Sequence, residues 1–284
     1  MRTTVGLRGD ILNFEVEGDD PLNSGTKASG LISPKASVVL GPWGGTEFYV
    51  NTGVGFHSND ARGSTTTRDP KSGQAVDPTT PLVRANGAEL GARTVRIPKV
   101  QTTVAVWWLG IDSELLFIGD AGTTEATRPS RRIGLEWSTY ARPRPWLGLD
   151  ADVAISRGKF TDDDPAGDRI PGSVESVIAL GASFDSAKRM FGSMRLRYLG
   201  ARSLVEDDSI RSAATTLINV QAGLRLRGHA SIVLDVFNLF DVDASDIDYF
   251  YRSRMRGEPS DGVDDIHTHP ALPRSARVSL RFGF

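Results

Sequence analysis

The run RSARVSLRFGF, residues 274–284, alternates without a break: Ala276, Val278, Leu280, Phe282 and Phe284 are apolar, while Ser275, Arg277, Ser279, Arg281 and Gly283 are polar, charged or small. Period-two alternation is the pattern of an extended strand with two different environments on its two sides. It recurs upstream. SIVLDVFN holds Ile232, Leu234 and Val236 in one register, with Val233 and Phe237 making its other face partly apolar. TLINVQAGLR sets Ile218, Val220, Ala222 and Leu224 against Asn219, Gln221 and Arg225, and GSMRLRY sets Met194, Leu196 and Tyr198 against Arg195 and Arg197. VESVIALGASF, LGLDADVAIS, RIGLEWSTY, QTTVAVWW, GAELGARTV, TEFYVNTGVGF, ISPKASVVL and TTVGLRGDI bring the candidate strands to twelve.

Alternation alone suits a soluble sandwich as well as a membrane barrel. Composition does not separate them, because 39% hydrophobic and 24% charged residues are enough where only every second strand residue need be apolar. The connections do. Short ones fall at GPWGGT (41–46), IPKV (97–100), RPRPW (142–146), DSAKRM (185–190) and RGHA (227–230). Long ones fall at residues 17–30, 58–87, 112–131, 158–172, 200–213 and 242–273, so all long loops lie at one end of the strand array. That asymmetry matches the short periplasmic turns and long extracellular loops of outer-membrane barrels. Strand length agrees: about 10 residues at roughly 3.3 Å each, tilted about 45°, cover roughly 23 Å, close to an apolar band of about 25 Å. Trp43 and Trp146 sit in short turns, where an interfacial aromatic belt places them. The predicted fold is an all-β, antiparallel up-and-down transmembrane β-barrel portion of about twelve strands.

Other classes are excluded or lose support. No apolar run reaches the about 18 residues of a membrane helix. Cysteine is absent, which removes disulfides and thiolate metal sites. A net charge of -2 gives no electrostatic reason to expect nucleic acid. Neither G-x-S-x-G, H-E-x-x-H nor a P-loop occurs, and the neighbours His57 and Ser58 would point to opposite faces of a strand, so no enzyme is expected.

The run from VLDVFNLFDVDASDIDYFYRSRMRGEPSDGVDDIHTHP to the terminal strand resembles the carboxy-terminal end of TonB-dependent outer-membrane receptors. The N-L-F-D element is Asn238, Leu239, Phe240 and Asp241, and FYVNTGVGFHSNDARG (48–63) resembles a receptor strand running into its extracellular loop. The resemblance implies location in the outer membrane of a Gram-negative cell and active uptake of a bulky, scarce ligand such as a ferric siderophore. It implies contact with the TonB complex through a plug domain, and a closing strand whose Ala276, Val278, Leu280, Phe282 and Phe284 are recognised by the barrel-assembly machinery. Family members have a signal peptide, a plug and a wider barrel of about 22 strands. MRTTVGLRGD has no apolar signal core and no plug is legible, so residues 1–284 are expected to form one carboxy-terminal barrel portion, open as a half-barrel. The other reading is a self-contained twelve-stranded pore or barrel enzyme.

The last long loop holds the candidate ligand contacts: Tyr249, Tyr251, Arg252, Arg254, Arg256 and His267. Arginine and tyrosine side chains suit an anionic aromatic chelate through charge and stacking, and equally suit a loop ordered by its own salt bridges. Asp264, Asp265, His267 and His269 offer metal-ligand chemistry, set aside on the expectation that the two imidazoles diverge. DDDPAGD (162–168) has carboxylates without EF-hand spacing and is expected to be a solvated loop tip. Inward-facing Glu89, Glu136, Asp150, Asp152, Arg195 and Arg197 fit a wet wall, as a ladder of cross-strand ion pairs or as contacts to a plug. No cofactor and no resident metal are expected.

Overall fold

The computed structural model describes residues 1–283 apart from 70–72, 119–122, 127, 187–188 and 227–228. Its strands are β1 (Arg2–Val16), β2 (Gly25–Trp43), β3 (Thr46–Ser58), β4 (Leu82–Thr94), β5 (Val100–Ile111), β6 (Leu115–Ile118), β7 (Thr123–Ala126), β8 (Ser130–Arg144), β9 (Leu147–Phe160), β10 (Ser176–Asp185), β11 (Met190–Leu199), β12 (Thr215–Arg225), β13 (Ala230–Phe237), β14 (Ser245–Ser253), β15 (Val263–Pro270) and β16 (Ser275–Phe282). Twelve of them form one antiparallel sheet in the order β1-β2-β3-β4-β5-β8-β9-β10-β11-β12-β13-β16. Each alternating segment of the sequence is one wall strand. The sheet does not close, since β1 and β16 are its two edges and do not pair with each other. This is the open half-barrel expected.

Strand register sorts the side chains. One face carries Val5, Leu7, Ile32, Val50, Leu90, Val106, Leu135, Ile155, Leu180, Leu234, Val278 and Leu280, all exposed, with Leu7 at 74% and Ile155 at 55%. A water-facing sheet would not show a continuous apolar surface of this size. The opposite face is a ladder of ion pairs. Arg2 and Arg93 share Glu47, Arg8 holds Asp10 at 2.6 Å, Arg225 grips Asp185 through two bonds, and Arg195 pairs with Asp150. Asp235 accepts from Gln221 at 2.7 Å and from Arg277 at 3.1 Å, which puts Arg277 on the polar face and its neighbours Ala276 and Val278 on the other.

The short turns owe their tightness to residues that tolerate a left-handed backbone. Gly44 and Gly45, both with positive φ, link β2 to β3 in the way a two-residue hairpin requires. The strands outrun their predicted ends at the long-loop side: β1 and β2 stay paired to Val16 and Gly25. The last long loop is not irregular, because β14 and β15 form a hairpin within it, and β6 and β7 form another between β5 and β8.

Several large rings of the wall lie over a directly opposed glycine. Trp107 faces Gly134 across β5 and β8, and a β-carbon at Gly134 would stand 2.5 Å from the indole. Tyr49 covers Gly91 and Phe191 covers Gly223 in the same manner. Such pairs replace the missing side chain with ring surface and fix register. Gly134→Val is expected to lower stability by about 1–3 kcal/mol through overpacking, whereas Gly55→Ala, at a position with open space, changes little. Urea midpoints of the two variants in detergent micelles check the contrast.

Candidate functional site

Buried side chains, few along the wall, are concentrated at the long-loop end. Five of the buried apolar residues lie there, Leu82, Val83, Phe160, Ile170 and Leu204. Arg128 lies over the Phe160 ring at 4.3 Å and reaches Asp162 at 2.7 Å and Glu206 at 2.9 Å. Arg169 and Arg211 both bind Glu175 and both approach Asp208. These contacts tie the segment 161–175 to the segment 200–214 and both to the top of β9. The run DDDPAGD therefore does more than solvate a tip. Asp162 holds Arg128, Asp168 holds Lys159 at 2.9 Å, and Asp164 accepts from the Ala166 amide.

The β14–β15 hairpin stands on this layer. Arg202 and Asp248 meet at 3.4 Å with both side chains buried, Ser245 donates to Asp248, and Arg197 of β11 reaches Asp246 at 3.0 Å. Thr215 donates to the Ser245 carbonyl at 3.0 Å. The pairing divides the predicted contact residues among three places. Tyr249 lies opposite His267, and Tyr251 stacks on the His267 ring with centroids 3.8 Å apart. Arg252 pairs with Asp264 at 2.6 Å on the other face. Arg254 donates to the Glu258 carbonyl near the tip, and Arg256 is exposed with no hydrogen bond or ion pair among the described residues.

His267 and His269 correct an expectation. They are alternate residues of one strand, opposite Tyr249 and Ile247, so their β-carbons share a face and do not diverge. The nearby carboxylates do not complete a site: Asp264 belongs to Arg252, and no group of three or more His, Asp or Glu among the described residues is placed to hold a metal ion. His57 and Ser58 occupy successive positions of β3 and face opposite ways, as expected.

The N-L-F-D element forms the base of the hairpin. Asn238, buried and at φ 47°, donates through Nδ2 to the Val242 and Leu272 carbonyls and accepts the Val242 amide at Oδ1. Its own amide donates to Asn219, Leu239 donates to the Ile218 carbonyl, and Asp241 accepts the Arg274 amide. Phe240 is exposed. Ala276, Val278, Leu280 and Phe282 line the apolar side of β16, and Phe284 lies outside the described residues.

The loop carboxylates have a common pH response. Hydrogen bonds from Arg128, Lys159 and Arg252 hold Asp162, Asp168 and Asp264 below the usual carboxylate range. A depressed folded value contributes stability above the unfolded value and loses it as pH falls through the folded one. The loops are expected to resist protease at about pH 5 and to open well below the ordinary aspartate value of about 3.9, with hydrogen exchange in 161–175 and 200–214 as the readout. Asn238→Ala removes several buried bonds at about 1 kcal/mol each and is expected to cost about 2–4 kcal/mol, measured by urea unfolding.

Residues 2–239 match the family model described as TonB dependent receptor-like, beta-barrel. No curated protein matches the sequence. Among solved structures, the ferric-catecholate import receptor Fiu from E. coli K12 in its closed form aligns with a TM-score of 0.71 at 18% identity, covering 98% of this chain and 41% of that one. The copper transporter OprC aligns at 0.73 and 19% identity, covering 99% and 45%. The ferric yersiniabactin uptake receptor FyuA from Yersinia pestis aligns at 0.69 and 18% identity, covering 92% and 38%. The chain thus spans about two fifths of the length of these structures, and the likeness is one of fold. The match over most of the sequence and the open twelve-stranded sheet agree: the chain belongs to the TonB-dependent receptor family, as a portion of its β-barrel.

Proposed function

We propose that residues 1–284 are the carboxy-terminal barrel portion of an outer-membrane receptor that imports a bulky, scarce ligand, such as a ferric siderophore, in a TonB-driven step. The observation that carries this reading is the inverted sheet: apolar side chains exposed on one face, charges paired on the other, and all elaborate structure at one end. An apolar face of this extent suits lipid, and the long-loop end suits ligand capture. The cargo class draws support from neighbours described as ferric-catecholate and ferric yersiniabactin receptors and as a copper transporter. The two open edges disfavour a self-contained pore, because unpaired strand groups inside lipid cost several kcal/mol each.

In this reading the wall supplies lipid contact, and the β16 pattern of Ala276, Val278, Leu280, Phe282 and Phe284 serves the assembly machinery. The TonB complex acts through a plug. The hairpin meets the ligand, with Arg254 and Arg256 at its tip offering charge, and the Tyr251–His267 stack and Tyr249 offering ring faces. Arg252, already bonded to Asp264, braces the hairpin.

Titration of the chain in detergent with a panel of ferric catecholates and hydroxamates, followed by tryptophan fluorescence, tests the assignment. One class is expected to bind, and Arg254→Ala with Arg256→Ala is expected to weaken it about tenfold by removing charge-assisted contacts. Arg252→Ala should instead loosen the hairpin toward protease. Equal binding by the tip variant would remove the ligand role from the hairpin.

A further inference from the structure

Toward the long loops the exposed apolar face gives way to positive charge, most densely on β8 and β9. On β8 the outward series is Leu135, Ile133, Arg131, and on β9 it is Val153, Ile155, Arg157, Lys159. Register aligns them: Ile133 lies opposite Arg157, and Arg131 opposite Lys159. Arg131 and Arg157 are exposed and have no hydrogen bond or ion pair among the described residues, while Lys159 holds Asp168. Beside them the same face ends in exposed Arg84 of β4, whose carbonyl accepts the amide of exposed Asp112, so four cations against two carboxylates leave a net positive patch. On β10, β11 and β12 the residues of this face nearest the long loops are Ser176, Tyr198 and Thr216, so the charge does not continue on that side.

An aromatic ring completes the patch. Trp108 of β5 sits in the row of Ile133 and Arg157, and its indole leans over Gly110, the partner of Arg131, within 3.1 Å of where a β-carbon would be. The ring therefore lies beside the cations at the top of the apolar surface. Height fits as well. Trp146 marks the opposite end, and the 11 residues from it to Arg157 span about 36 Å of strand, or about 25 Å along the membrane normal at a tilt of about 45°, which is the apolar band of such barrels. Tryptophan and unpaired arginine at the upper boundary of that band meet lipid headgroups, not acyl chains.

We propose that Arg131, Arg157 and Lys159, with Trp108, form a docking patch on the outer wall for the phosphate of an anionic lipid in the leaflet at the long-loop end. Two free guanidinium groups and an ammonium suit a phosphate that accepts several bonds at once. The proposal rests on the membrane reading above, and its test separates the two. The chain is reconstituted into phosphatidylcholine vesicles containing a minor fraction of phosphatidic acid, with bromine on the acyl chains of one lipid or the other, and tryptophan quenching is measured. Quenching by brominated phosphatidylcholine reports insertion.

At equal mole fraction, brominated phosphatidic acid is expected to quench more strongly, and the excess is expected to fall roughly fivefold for each cation removed in Arg131→Gln, Arg157→Gln and Lys159→Gln. Trp108→Phe should remove most of the excess, and Arg195→Gln, on the opposite face, should leave it. Insertion in every sample certifies the fold of the variants. Strong quenching by both lipids without preference overturns this proposal and leaves the membrane reading standing. Quenching by neither overturns both. Loss of the preference on adding inorganic phosphate would make the patch a general anion site and overturn its assignment to lipid.

Discussion

The backbone ladder is the interaction on which everything else depends. The wall has one layer, its apolar face is exposed, and its charged face is held by pairwise bridges. Ordinary domains gain stability by burying side chains between layers. Here the wall buries few, Val233, Leu217 and Ala105 among them. Continuous strand pairing from β1 to β16 therefore supplies the order, and the ion pairs and ring-over-glycine contacts keep that pairing in register.

Burial returns where the solvent changes. Above the apolar band the chain makes compact structure of a water-soluble kind, with Phe160, Ile170 and Leu204 enclosed and Arg128, Arg169, Arg202 and Arg211 holding carboxylates around them. The two regions obey opposite rules within one polypeptide. The junction falls at the ends of β8 and β9, where Ile133 and Ile155 give way to Arg131 and Arg157.

The wall was legible in the sequence because period two is a local property. Each strand announces itself in about ten residues, and the alternation of short and long connections then orders them without long-range information. The open edges followed from strand number together with the family resemblance. The loop layer was not legible. Asp162 and Arg128, or Glu175 and Arg211, are charged residues far apart in sequence, and nothing local says which will meet. The β14–β15 hairpin was not legible for a different reason: DIDYFY alternates only briefly before Phe250 breaks the pattern, and VDDIHTH carries a carboxylate on each face, so the pair does not read as two matched strands. Pairing by register then separated Arg252 from Tyr251, which sequence order had grouped, and joined His267 to His269, which it had parted.

The turn at Asn238 has a consequence for how such a protein can change over time. One side chain bonds residues 242 and 272, and Asp241 bonds residue 274, so the chain leaves the wall and re-enters it through a single clasp. The hairpin between the two sides of the clasp is held at its base by Arg197, Arg202 and Thr215 and takes no part in the pairing of β13 with β16. Residues 249–267, beyond those anchors, can therefore lengthen, shorten or exchange their chemistry while the strands beneath keep their positions. Change in the hairpin and conservation of the wall therefore fall on separate residues, which lets one scaffold diversify without relearning how to fold.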